Sequence, residues 1–250
     1  MYTHYPNYIG VVDSGVGGLT ILAQLKRQYP FCNYLYFADG AYCPYGTKTP
    51  QQILTRVESV VDYLHNSGVD AIVLACNTAS VYADVLRAKY STPIYEVIRP
   101  TCNLVSSITR NKRVALLATN ATVKSHSYQN ILNDLGVTVI SFSCSSFVPF
   151  VESNSVNTLD CQQAVRSALC LLPNCQVDTV ILGCTHFPIL RQLIAPYTQG
   201  AIVECVSDFQ PPFSTVKQQC GRTIYLTTGC AETATNASKW FGAQFEHIDL

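Results

Sequence analysis

The sequence predicts an α/β protein of two similar halves, each built on a mainly parallel sheet. Three observations lead there. Short apolar runs of strand length alternate with segments of helical periodicity, the order expected of sheets covered by helices. The runs are continuously apolar, as in strands buried on both faces. The segment VDAIVLACNTAS at Val69–Ser80 also returns in outline as VDTVILGCTHFP at Val177–Pro188, so the arrangement occurs twice.

Each element follows in chain order. Ile9 to Val12 is a buried strand, followed by a glycine-rich turn and a helix through Leu19, Leu22 and Leu25. Tyr34 to Phe37 is the next strand. From Gln51 to Asn66, Ile53, Val57, Val60, Val61 and Leu64 recur at helical spacing, with Gly68 placed as the C-terminal cap. Ala71 to Ala75, Val114 to Ala118, Val137 to Phe142 and Thr179 to Leu182 are further strands. The chain crosses between halves near Ile98 to Pro100. From about Ser207 it returns to the first half, where Thr223 to Leu226 adds a strand and Ala231 to Phe241 a helix. The expected domains are therefore 1–98 with 207–250, and 99–206, with a site in the cleft between them. Upstream of each repeated segment a strand ends in a polar turn, DSGVGG at Asp13–Gly18 and TNATVKS at Thr119–Ser125.

Composition narrows the function. A chain of 250 residues, 48% hydrophobic, has ample core. Sixteen basic residues balance sixteen acidic ones, and no run of Lys or Arg marks a nucleic-acid or anionic-membrane partner. A charged fraction of 13% is low for a surface and points weakly to a second subunit, as in a homodimer. No apolar run approaches the ~20 residues that span a bilayer. Met1 to Tyr8 has no basic-then-apolar signal pattern, so a cytoplasmic location is expected. The 12 cysteines are irregularly spaced and include no C-x-x-C pair. They read as small buried hydrophobes, not as a disulfide framework or a structural zinc site.

Two cysteines stand apart. Cys76 and Cys184 each follow a buried strand and precede a helix, at the carboxyl edge where open α/β sheets bind ligands. A helix N-terminus is expected to lower a thiol's pKa from about 8.5. One such cysteine would be read as core; two in repeated polar contexts point to function. The other candidates admit plain readings. DSGVGG is either a tight turn capped by Asp13 or Ser14, or a set of backbone amides holding a carboxylate with Asp13 beside a thiol. It is not a dinucleotide fingerprint, because Thr20 occupies the last glycine position. Pro44-Tyr45-Gly46 can be an ordinary turn, Thr119 and Thr122 loop and cap residues, and Glu152 a surface glutamate. His186, two residues after Cys184, is either a loop residue or the base of a cysteine hydrolase.

Taken together, DSGVGGL (13–19), ADGAYCPYGTK (38–48), ACNTAS (75–80), TNATVKS (119–125), FVPFVE (147–152) and LGCTHFP (182–188) resemble the glutamate racemases of the aspartate/glutamate racemase superfamily. The pieces span nearly the whole chain, and their combination and order are highly specific. The resemblance implies two α/β domains related by a pseudo-twofold axis, no cofactor and no metal. It implies Cys76 and Cys184 as the two acid/base residues, Asp13 supporting Cys76, and Glu152 and His186 supporting Cys184. Ser14, Tyr45, Gly46, Asn77, Thr78, Thr119, Thr122 and Thr185 would hold the substrate's amino and carboxylate groups. In that family D-glutamate feeds peptidoglycan synthesis. Glu96 and Arg99 in IYEVIRP depart from the family pattern, which usually has glycine at the first, and bear on backbone geometry or a subunit contact near the crossing. VECVSDFQPPF at 203–213 lacks the family's aspartate-small-residue turn.

The chemistry suits two thiols. Inverting a stereocentre needs a base on one face of Cα and an acid on the other, and thiolate and thiol exchange those roles when the reaction reverses. The developing carbanion charge needs amides and hydroxyls around the α-carboxylate. A pyridoxal enzyme would need a lysine in such a motif, and Lys48 and Lys124 lie beyond their turns. Other readings are a racemase of aspartate, a hydantoin or another small acid, a hydrolase using Cys184 and His186, and a non-catalytic binding or regulatory homologue. The hydrolase leaves Cys76 and the repeat unexplained.

Overall fold

The computed structural model describes residues 3–211 and 221–250; Met1, Tyr2 and 212–220, which include the end of the VECVSDFQPPF segment, lie outside the described residues. Its strands are β1 (Tyr8–Asp13), β2 (Asn33–Ala38), β3 (Ala71–Leu74), β4 (Ile94–Tyr95), β5 (Arg113–Ala118), β6 (Thr138–Ser143), β7 (Thr179–Gly183), β8 (Ala201–Glu204), β9 (Thr223–Thr227) and β10 (Glu246–His247). Among the described residues they form two sheets, ordered β10-β9-β2-β1-β3-β4 and β6-β5-β7-β8, and every pairing is parallel. The expected α/β fold with two parallel sheets is present. The order β2-β1-β3-β4 reappears as β6-β5-β7-β8, the structural form of the sequence repeat.

The continuously apolar strands are buried on both faces. In β1, Ile9 and Val11 pack with Leu19, Leu22 and Leu25 of the helix Leu19–Gln28, while Val12 faces Val57, Val61 and Leu64 of the helix Pro50–Asn66. In β5, Ala115 and Leu117 join the first cluster, which runs through both halves, and Val114 and Leu116 face another. The helix Pro50–Asn66 starts with a reciprocal capping box between Thr49 and Gln52 and has Pro at its first turn. It ends at Ser67, and Gly68 adopts φ +73°, as its cap position requires.

Several details differ from the sequence reading. The crossing segment is the start of a helix, Ile98–Ile108. Buried Glu96 accepts hydrogen bonds from the backbone N–H groups of Ile98 and Arg99, so this departure from the family pattern caps the helix N-terminus. The expected helix Ala231 to Phe241 divides into Ala231–Ala237 and a 3-10 turn Lys239–Phe241, because Ser238 breaks the run. Strands β4, β8 and β10 are too short or too polar to stand out in sequence. Among the described residues, no helix is long and apolar enough to cross a membrane.

Candidate active site

The sheet order decides where a ligand can sit. From β1 the chain goes to β2 on one side and then to β3 on the other, which opens a crevice beyond the carboxyl ends of β1 and β3. The same reversal occurs at β5 and β7. Asp13 and Ser14 leave β1 and Cys76 follows β3; Thr119 follows β5 and Cys184 follows β7. The two crevices meet in one small, tightly closed cavity of about 10 Å³, room for about one water molecule. Both thiols line it, together with Ser14, Tyr45, Gly46, Asn77, Thr78, Thr119, Thr185 and His186. Asp13, Thr122 and Glu152 stand behind this lining. Both cysteines are free and almost fully buried.

The groups around the two thiols differ. The Cys76 Sγ lies 3.9 Å from Ser14 Oγ. Burial pushes the Cys76 thiol up to about 12, and the nearby Asp13 carboxylate adds to the rise. The expectation of a lowered pKa is thus corrected: the helix Asn77–Ser80 that Cys76 caps has four residues, and its N-terminal field is outweighed by desolvation. Burial likewise holds the Asp13 carboxyl up at about 6. Asp13 accepts hydrogen bonds from the Gly15 amide (3.0 Å) and from the Thr185 hydroxyl of the opposite half (3.0 Å).

Cys184 Sγ lies 3.6 Å from His186 Nδ1, and His186 Nε2 lies 2.6 Å from Glu152 Oε1. Burial works to lower the His186 pKa, but the hydrogen bonds with Cys184 and Glu152 hold it well above the ordinary imidazole value. Burial works to raise Glu152, but the imidazole and the Val16 amide hold it below the usual carboxylate value. That amide donates to Glu152 Oε1 at 2.8 Å.

This geometry corrects the reading of the glycine-rich turn. Its Gly15 and Val16 amides do hold carboxylates, but those of the protein's own Asp13 and Glu152. Glycine is required for close approach: a Cβ at Gly15 would lie 2.0 Å from Glu152 Oε1, and one at Gly17 would lie 2.4 Å from His186 Nδ1.

Other predicted residues fall into two groups. Thr78, Thr119 and Thr122 form a ring of mutual hydroxyl contacts at 2.9, 3.1 and 3.0 Å across the halves. Tyr45 lines the cavity with its ring, but its hydroxyl is turned away and donates to Asp39 at 2.6 Å. Asp39, fully buried, also receives a two-point contact from Arg56 and a bond from the Thr228 hydroxyl. Asn77 Oδ1 accepts from the Tyr128 hydroxyl at 2.6 Å and from Cys205 Sγ at 3.2 Å, while its buried Nδ2 has no protein partner. The sequence reading did not single out Asp39, Arg56, Tyr128 or Cys205. Asp39 at a strand end had the same signal as Asp13; Tyr128 and Cys205 read as core.

Two equivalent strand-end crevices, each presenting a thiol to one cavity, set the class. The Asp/Glu/Hydantoin racemase family profile matches residues 9–207, and the chain belongs to that family of isomerases. Within it the chain is similar to glutamate racemases. The glutamate racemase of Persephonella marina is 39% identical over 188 residues, covering 74% of this chain and 73% of that protein. Among solved structures, glutamate racemase isoform RacE1 of Bacillus anthracis superposes with a TM-score of 0.87 at 28% identity, covering 98% of both chains. That of Francisella tularensis, solved with D-glutamate, has a TM-score of 0.85 at 25% identity and covers 97% of both.

Proposed function

We propose that the chain interconverts L- and D-glutamate by two-base proton transfer at Cα, without a cofactor, and supplies D-glutamate for peptidoglycan. The observation that carries this reading is the pair of buried free thiols lining one cavity, each with its own proton-exchanging neighbours. The glutamate racemase relatives support glutamate as the substrate.

In this mechanism the two faces work in alternation. Cys184 gives its proton to His186 Nδ1, whose Nε2 is held by Glu152, and the resulting thiolate removes the α-proton from one enantiomer. Cys76, held as a thiol by its high pKa, delivers its proton to the opposite face of Cα. The product leaves with the protonation of the two sulfurs exchanged, ready for the reverse enantiomer. Asp13 receives or returns the Cys76 proton. The unpartnered Asn77 Nδ2 and the hydroxyls of Thr78 and Thr119, with Thr122 behind them, would meet the developing charge on the α-carboxylate. Ser14, Tyr45, Gly46 and Thr185 complete the walls. The domain division at 1–98 with 207–250 and 99–206 belongs to the same proposal, as does a homodimer, which light scattering tests.

The test is racemisation of pure protein followed by circular dichroism from each enantiomer. Cys76→Ala and Cys184→Ala should each abolish turnover. Near wild-type turnover in either variant would overturn the two-thiol assignment.

A further inference from the structure

Beside the Cys184–His186–Glu152 chain stands a third cysteine that the racemase reading does not use. The side-chain ligand atoms of Cys43, Glu152 and His186 all lie within 4.8 Å of one another. We infer that these three residues form an inhibitory site for a borderline-soft divalent cation such as Zn²⁺, set behind the substrate cavity. A thiol, an imidazole and a carboxylate are the donor set of a three-ligand zinc site with one open position. Mg²⁺ and Ca²⁺ prefer oxygen ligands, so this mixed set discriminates against them.

The dimensions fit with little movement. Zinc bonds of about 2.0–2.3 Å place tetrahedral ligand atoms on the order of 3.3–3.8 Å apart. The 2.6 Å contact between His186 Nε2 and Glu152 Oε1 must therefore open by roughly 1 Å. Glu152 can swing, since its side chain is one-quarter exposed. An approach route is present as well. A surface cleft lined by Gly40, Pro149, Ser153 and Thr233 reaches Cys43 and Glu152, whereas His186 lines the substrate cavity. The cation enters from the outer side and leaves the substrate's place free.

Binding replaces the Cys43 thiol proton and the proton shared by His186 and Glu152, both of which leave to solvent. His186 and Glu152 are then held by the metal, and Cys184 loses the group that exchanges its proton. The inhibition rests on the racemase reading above; the binding does not.

The experiment titrates the full chain and its Cys43→Ser variant with ZnCl₂ by calorimetry, and with Co²⁺ by absorption spectroscopy. The wild type should bind one Zn²⁺ that chelator removes, and its Co²⁺ form should show a thiolate-to-metal charge-transfer band. Cys43→Ser should lose that band and weaken Zn²⁺ binding at this site by more than about 100-fold, while racemising as the wild type does. Zinc should inhibit the wild type without relief by excess glutamate, and should spare the variant. Equal zinc affinity and the same Co²⁺ band in Cys43→Ser would overturn the site. Binding at the site without inhibition of an active enzyme would overturn its inhibitory role. A chain that binds zinc through Cys43 but racemises nothing would refute the racemase reading and leave the site standing.

Discussion

Substituting Gly15 by Ala isolates the contribution of the glycine-rich turn. An added Cβ would lie 2.0 Å from Glu152 Oε1 and 2.7 Å from its Cδ. To reach ordinary van der Waals contact the carboxylate must retreat by roughly 1.5 Å. Oε1 accepts from both the Val16 amide at 2.8 Å and His186 Nε2 at 2.6 Å, and neither bond survives such a shift. Hydrogen bonds to a charged group are worth about 1.5–3 kcal/mol each. Swinging the partly exposed carboxylate to water recovers much of that, so the protein folds and the loss falls on His186. A misplacement of about 1 Å near reacting groups can cost about 100-fold in rate. Racemisation from each enantiomer, read by circular dichroism, should therefore fall about 100-fold. A double-mutant cycle tests the cause. If the clash acts mainly through Glu152, Gly15→Ala should cost much less when added to Glu152→Ala, where only the 3.0 Å approach of the new Cβ to Cys43 Sγ remains. A wild-type rate in Gly15→Ala, or a double mutant whose losses multiply, would refute the reasoning.

Three further outcomes are expected. Asp39→Ala leaves the mostly buried Arg56 without its carboxylate and should cost about 3–5 kcal/mol, lowering Tm by about 6–20 °C in a thermal melt. Asp13 has a folded pKa of about 6 against 3.8 for the free side chain, so its stabilising contribution is full below the unfolded value and is lost as pH rises through 6. Asp13→Asn does not titrate and should gain about 3 kcal/mol relative to wild type between pH 4 and pH 7 in denaturant titrations; a pH-independent difference would count against the buried carboxylate. Tyr128→Phe removes the 2.6 Å bond to Asn77 Oδ1 and should lower kcat/KM by about 5–10-fold, with Tm shifted by only a few degrees; an unchanged kcat/KM would sever Tyr128 from the site.

The sequence exposed what depends on period and local order. Strands β1, β3, β5 and β7 were legible because both faces of each are buried, which leaves an unbroken apolar run. The helix Pro50–Asn66 was legible because one face packs on β1 and the other is solvated. By contrast, β4 has two residues, and β8 and β10 carry polar residues at partly exposed edges, so no pattern marks them. Within the site, the repeated strand-end context picked out Cys76 and Cys184. The partners of Asn77 and the bond from the Val16 amide to Glu152 were not legible, because each joins segments far apart in sequence. Asn77 meets Tyr128 and Cys205, 51 and 128 positions away, and Val16 meets Glu152 at a separation of 136. The Cys76 pKa was misjudged for the same reason: local order shows a helix N-terminus, whereas desolvation depends on everything packed around it.

The two halves repeat their strands but not their chemistry. β1 and β5 are topological equivalents, yet β1 ends in Asp13 and β5 leads into Thr119. β3 and β7 are equivalents as well, yet Cys76 is followed by Asn77 and Thr78, and Cys184 by Thr185 and His186. One thiol therefore stands near a carboxylate with a raised pKa, and the other beside an imidazole held by a second carboxylate. A substrate Cα between them would meet unlike acid/base groups, as it must, because the substrate's own two faces are unlike once its carboxylates are fixed. Direct bonds between halves, among them Thr185 to Asp13 and Thr78 to Thr119, place these unlike groups by the same contacts that close the cavity. Loosening either contact should disturb both thiols together, which a fold of two independent halves would not do.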